Sequence, residues 1–383
     1  MTRPPTRALL LLWCAAAAVL SAVAGTTPGP AAAAEPARPT LPIPPWPAGP
    51  FVILRGGDVI AGRLQTLTTK QVTVDSASFG RLVLPRSCLL GYRSSPRIGP
   101  PETNSGDLPV RLTLANDDRL EAAAVAVESA LLSLRGVAGL AIAERPVALP
   151  LVRVLAIDLA AVDALEAGGS QSDTAMNRWV ALEDGSRLRC RDFDSGVVIH
   201  GEGLVSLRPL TAGLPAVLRC PANEIAVIEP GRPGLRLAEA GPVGSVVPAG
   251  WPIRCGRTLT GGWPRLRGQT GFTAIGLHAP ATVGYRFDRP VVRFTATVGI
   301  ADSAGQGGSV VVCVAAGAAD QPPVEVFRSP VLRGGDSPLP IDLPLAAATS
   351  LELVVEPADG GSVLDRSLWL DPRVWHEPAE SRE

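Results

Sequence analysis

Short apolar runs alternate with polar residues along most of the chain, and Gly, Pro, Asn or Asp interrupts them every few positions. A period of two broken by turn residues predicts β-strands joined by hairpins. Three stretches repeat one order of signals. Residues 51–64 read as strand, a Gly56-Gly57-Asp58 turn and strand, followed by 71–74 and 82–90. Residues 110–114, the Asn116-Asp117-Asp118 turn, 131–134 and 147–155 keep that order, as do 179–182, Glu183-Asp184-Gly185, 197–199 and 216–228. Each stretch ends with an apolar run, then Pro or Arg, then a last hydrophobic strand. Four or five short strands in about 50 residues predict small β-barrels or β-rolls of SH3-like or Sm-like shape, over 50–98, 108–160 and 177–230. In the second, the Ala-rich run 120–130 leaves a short helix open as an alternative.

From Trp251 onward the alternation continues without helical periodicity. The apolar positions of 310–314 and 351–355 suit the inner faces of a two-sheet sandwich. Residues 94–107, 166–175 and 231–250 are rich in Gly, Pro or Ser and read as linkers. The whole chain therefore reads as all-β.

The first residues change the picture of where the chain works. Arg3 and Arg7 precede an apolar run over 8–24, and Ala22-Val23-Ala24 offers a small-x-small cleavage site. Residues 1–24 are expected to be an export signal. Residues 25–49, mostly Pro, Ala, Thr and Gly, bury too little apolar area to fold and are expected to be a disordered linker. No second apolar run of spanning length follows, so the mature chain is expected to be secreted, periplasmic or part of the cell envelope, without a membrane span. Five cysteines follow the signal, and Cys190 with Cys220 could pair within one stretch, buried thiols being the other reading.

Charge and composition narrow the chemistry. A net charge of −1 gives no field for nucleic acid. Three His and two Tyr leave few groups for acid–base work near neutral pH. The Gly56-Gly57-Asp58 and Glu183-Asp184-Gly185 runs lack the alternating oxygen ligands of a calcium loop and read as turns. Nucleotide, serine-hydrolase and zinc-protease motifs do not occur. A non-catalytic protein is expected.

The C-terminal third carries the most specific signals. They are Phe272-Thr-Ala-Ile-Gly276-Leu-His278-Ala-Pro280, residues 291–300, 307–312, Leu332-Arg-Gly-Gly-Asp336, 351–355 and Asp365-Arg-Ser-Leu-Trp369-Leu-Asp371. In order and spacing, residues 248–376 resemble the NPCBM family of carbohydrate-binding modules, galactose-binding-like β-sandwiches. The resemblance implies a jelly-roll topology and recognition of a glycan or polysaccharide by loops at one end. It points to His278 in the Gly-x-His-Ala signature, Trp369 in the terminal Asp-x-x-x-Trp motif, Asp365 beside it, Asp302 and Arg333 as carbohydrate-binding residues; an interior hydrogen bond for His278, a core place for Trp369 and a plain turn at Arg333–Asp336 are the other readings. It requires no cofactor, although a structural calcium ion is compatible with these acids. Ala274, Ala301 and Arg366 stand where the family carries Gly, an acid and His. Trp251 and Trp263, at the domain edge, read as loop staples or stacking platforms. The N-terminal stretches would then serve as a spacer or contact envelope proteins. The alternative is an envelope adaptor without sugar binding.

Overall fold

The computed structural model describes residues 45–101, 108–139, 146–159, 177–191, 197–199, 203–229, 234–248, 250–318, 321–359 and 361–376. The expected export signal lies outside them. The chain is all-β: among the described residues, strands are joined by turns, loops, short 3-10 turns and one helical turn, Leu237–Ala240. Among the described residues no helix is long and apolar enough to cross a membrane.

One set of backbone hydrogen bonds recurs three times. The Leu54 amide bonds the Asp58 carbonyl, the Gly57 amide the Leu54 carbonyl, and the Arg55 amide the Cys88 carbonyl. Leu114 to Asp118, Asp117 to Leu114 and Ala115 to Arg153 repeat it, as do Leu182 to Ser186, Gly185 to Leu182 and Glu183 to Glu224. The third residue of each turn has positive φ, at Gly57, Asp117 and Gly185, which is why Gly or Asp occupies it. The 3-10 turns Arg86–Cys88, Leu151–Arg153 and Ala222–Glu224 each follow a Pro.

Strands of all three stretches belong to one 14-stranded sheet. In each, the first strand pairs with the last: Phe51–Leu54 with Leu89–Arg93, Val110–Leu114 with Val154–Leu159, and Asn177–Leu182 with Ile225–Ile228. The last strands of the first two also pair with each other, joined by an Arg93–Asp158 ion pair of 2.6 Å. The Ala-rich run is a strand, Arg119–Glu128, paired on both sides; Ala122, Val125 and Val127 turn inward. Neighbouring strands here override the helical preference of Ala. All five cysteines after the expected signal are free thiols, and burial pushes the Cys220 thiol up to about 11.

A buried acid joins the first stretch to the third. Asp58 is fully buried, accepts the Arg189 amide at 2.8 Å and the Thr211 hydroxyl, and lies 3.6 Å from the Arg189 guanidinium. Burial outweighs these contacts and raises its carboxyl from 3.8 to about 7. Between those values the folded chain holds a proton that the unfolded chain has lost. The contribution of Asp58 to stability is therefore fully present below about pH 4 and lost as pH rises towards 7, at up to about 1.4 kcal/mol per pH unit. Asp58→Asn, which keeps an acceptor for Arg189, should flatten that part of the profile. Urea unfolding of both proteins at pH 4.5, 6 and 7.5 measures the difference.

The C-terminal strands form a ten-stranded sheet that folds over a second core. Arg366–His376 lies centrally, between Ala274–His278 and the later part of Ala281–Ile300. Ala281–Ile300 changes register between Arg286 and Val291, pairing with Leu339–Pro357 on both sides of the break. The stretch read as a linker is packed onto this sheet: Leu235–Arg236 pairs with Arg373 and Val374, and Gly244–Val246 with residues 282–284.

The two sheets share an aromatic and ionic boundary. Trp46, within the expected tether, is buried against Trp263, with centroids 4.1 Å apart, and lies 4.0 Å from the Arg187 guanidinium. Arg187 donates to the Gly271 carbonyl at 2.7 Å and the Thr270 hydroxyl at 2.6 Å. Trp179 stacks on Phe272 at 5.6 Å, and the Trp263 indole donates to the Ile98 carbonyl at 2.8 Å.

Candidate functional site

Register decides which side chains meet. His278 pairs with Arg366, Ile300 pairs with Ser367, and the Ala301 amide bonds the Arg366 carbonyl. Asp365, Asp302 and His278 therefore sit where three adjacent strands end. Ser309 pairs with Arg333, which brings the Leu332–Asp336 turn to the same end.

Two adjoining clefts open there. The first, of about 270 Å³, is lined by Gln306, Gly308, Ser309, Arg333, Asp359, Gly361, Val363 and Asp365. The second, of about 340 Å³, is lined by Arg267, Ile300, Asp302, Gly305, Gln306, Gly335 and Asp336. Gln306 belongs to both.

Asp365 is 1% exposed. One carboxylate oxygen accepts the Ser309 amide at 2.7 Å; the other, Oδ2, is buried with no hydrogen-bond partner among the described residues. Burial raises its carboxyl above the usual range, while the Ser309 amide and nearby His278 pull it down. A buried oxygen without a partner costs about 1–3 kcal/mol, and Asp365 is among the residues that line the first cleft.

The other charged groups already have protein partners. Asp302 accepts the Arg267 amide at 2.5 Å on one oxygen and the Gly268 amide at 2.9 Å on the other, anchoring that turn. The Arg333 guanidinium reaches Asp359 at 2.5 Å, and its amide donates to Asp336 at 2.8 Å.

His278 and Trp369 do not line the clefts. His278 is 7% exposed; its Nδ1–H donates to the Ala279 carbonyl at 2.7 Å, and its ring stacks on Trp251 at 4.7 Å. Arg366 lies 5.5 Å over the same indole. Trp369 is 0% exposed, flanked by strands on both sides and packed 6.4 Å from Phe294. It presents no face to the clefts. Of the five residues singled out from the sequence, the structure thus gathers Asp365, Arg333 and Asp302 around the clefts. His278 stands behind Asp365, and Trp369 is in the core.

The cleft walls also contain residues that motif reading passed over: Gln306, Asp359 and Val363. Val363 is 81% exposed and supplies an apolar surface at the rim. The Gly-rich runs 305–308 and 359–361 were the available signal, since loops that approach a ligand closely favour Gly. Among the described residues no three His, Cys, Asp or Glu side chains cluster as a metal site.

No curated protein matches the chain. A CBM51 module from Clostridium perfringens GH95, solved in complex with methyl-galactose, aligns at 19% identity over 37% of this chain and 99% of its own, with a TM-score of 0.32. The CBM51-2 and INT domains of Clostridium perfringens ZmpB, in complex with GlcNAc, align at 18% identity over 49% of this chain and 43% of theirs, at 0.33. The tandem CBM51 modules of Sp3GH98 from Streptococcus pneumoniae align at 12% identity over 70% and 88%, also at 0.33. Residues 245–375, about a third of the chain, match the NPCBM/NEW2 domain.

Proposed function

We propose that the chain is an exported, non-catalytic carbohydrate-binding protein that holds a glycan at the loop end of its C-terminal domain. The observation that carries this reading is the unpartnered Asp365 Oδ2 beside an open cleft, within a domain that matches a family of carbohydrate-binding modules. A sugar hydroxyl is a donor of suitable size for that oxygen. Arg333, Asp359 and Gln306 would supply further polar contacts, and Val363, rather than an aromatic ring, an apolar one. Single sites of this kind bind weakly, and attachment at a surface would raise the effective affinity. The N-terminal stretches, as three β units, would act as a spacer or a surface for envelope proteins. A structural calcium ion belongs to the same proposal and is tested with it.

Asp365→Asn is the discriminating variant. It keeps an oxygen for the Ser309 amide and replaces the unpartnered acceptor by a donor. Thermal melting of the variant checks that the fold is retained. Glycan-array binding of the full chain, with and without calcium, should be saturable and should weaken at least tenfold in Asp365→Asn, about 1.4 kcal/mol. Equal binding by the variant would remove Asp365 from the site.

The second reading is an envelope adaptor without sugar binding. The burial of His278 and Trp369 and the internal partners of Asp302 and Arg333 favour it. A folded chain that binds no glycan on the array would establish it over the first.

A further inference from the structure

We propose that the site takes an oligosaccharide of at least two neutral sugar rings, one in each cleft, with the linkage passing over Gln306. This rests on the glycan-binding reading and adds the size and charge of the ligand.

The argument begins with size. Ligand pockets commonly enclose about 300–1,000 Å³. The clefts, at about 270 and 340 Å³, lie just below and just above the lower limit of that range, and together they reach well into it. Each is shaped for one small polar unit.

Gln306 is the partition between them. It lines both clefts, is exposed, and its amide has no hydrogen-bond partner among the described residues. An amide both donates and accepts, so from one position it can meet hydroxyls on either side. It lies against Gly335, whose φ is +86°. A Cβ there would come within 2.5 Å of the Gln306 Oε1. Glycine thus allows the side chain to lie against the turn between the two clefts.

Charge decides the class of sugar. Asp359 and Asp365 line the first cleft, Asp302 and Asp336 the second, against Arg333 and Arg267. Arg333 is held by Asp359, and Arg267 donates to the Ser337 hydroxyl at 2.8 Å. Four carboxylates against two engaged guanidiniums disfavour a ring bearing its own carboxylate. A neutral ring offers hydroxyl donors to the acidic oxygens without that repulsion.

The test uses the full chain and calorimetric titration with neutral gluco-, galacto- and manno-oligosaccharides of one to four rings, alongside uronate oligosaccharides of the same lengths. Affinity should rise at least tenfold from one ring to two in the neutral series that binds, then level off. Uronates should bind at least tenfold more weakly. Gln306→Ala, at an exposed position where folding is retained, should reduce the gain in affinity from one ring to two. Equal affinity for one ring and two, preference for uronates, or an unchanged length profile in Gln306→Ala each overturns the inference while leaving glycan binding itself intact. No binding at any length removes the underlying reading, and this one with it.

Discussion

Trp369→Ala should destabilise the chain by about 3–5 kcal/mol, the range for deleting a fully buried indole. The side chain is 0% exposed in a central strand and contacts Phe294 within the second core. Its loss leaves a cavity that strands on both sides cannot close. Against a total of about 5–15 kcal/mol for a folded domain, that is a large share. Glycan binding by Trp369→Ala should fall only to the extent that the C-terminal domain unfolds. Trp369→Phe fills part of the cavity and removes an indole N–H that has no partner among the described residues, so it should cost less and bind as the parent does. Urea unfolding followed by tryptophan fluorescence, beside titration of the folded fraction, separates the two effects. A folded Trp369→Ala that had lost binding would instead place the indole in contact with the sugar.

Glu229→Ala should cost a comparable amount, about 3–5 kcal/mol, through a different cause. Glu229 is buried and accepts the Arg236 guanidinium at 2.5 Å, the Arg373 guanidinium, and the Trp179 amide at 3.2 Å. These partners belong to the third N-terminal stretch, to the segment that follows it and to the last strand. Arg236 is almost wholly buried and Arg373 largely so, and burial lowers both below the ordinary guanidinium range, Arg373 to about 10. Removing the carboxylate leaves two desolvated cations without their shared counter-charge. Glu229→Gln keeps an acceptor but not the charge, and should fall between the parent and Ala. A cycle with Arg236→Met should be non-additive, because Met removes one of the stranded cations. Additive losses in thermal or urea unfolding would contradict a shared network.

The strands were legible because their signals are local. Alternation and turn residues such as Gly57, Asp117 and Gly185 act within a few positions. The joining of strands from all three stretches into one sheet was not, since it depends on pairings such as Ala156 with Arg93, or Arg187 with Val59. The boundary between the sheets was equally hidden. Trp46 reads as part of a Pro-rich tether until Trp263 and Arg187, far along the chain, are placed beside it. In the site, Asp302, Arg333 and Asp365 were visible through motifs that fall at strand ends. For Trp369 the motif left a core role and a binding role open, and the central place of its strand decides for the core. Gln306 escaped notice since a lone Gln in a Gly turn carries no motif, and only the meeting of two clefts gives it a role.

A crystal structure of the full chain with a bound neutral oligosaccharide tests the central claim most directly. The account predicts a sugar hydroxyl within hydrogen-bond distance of the Asp365 carboxylate, and sugar density on both sides of Gln306. Density for the sugar on the N-terminal sheet or elsewhere on the domain, with Asp365 untouched, would contradict it.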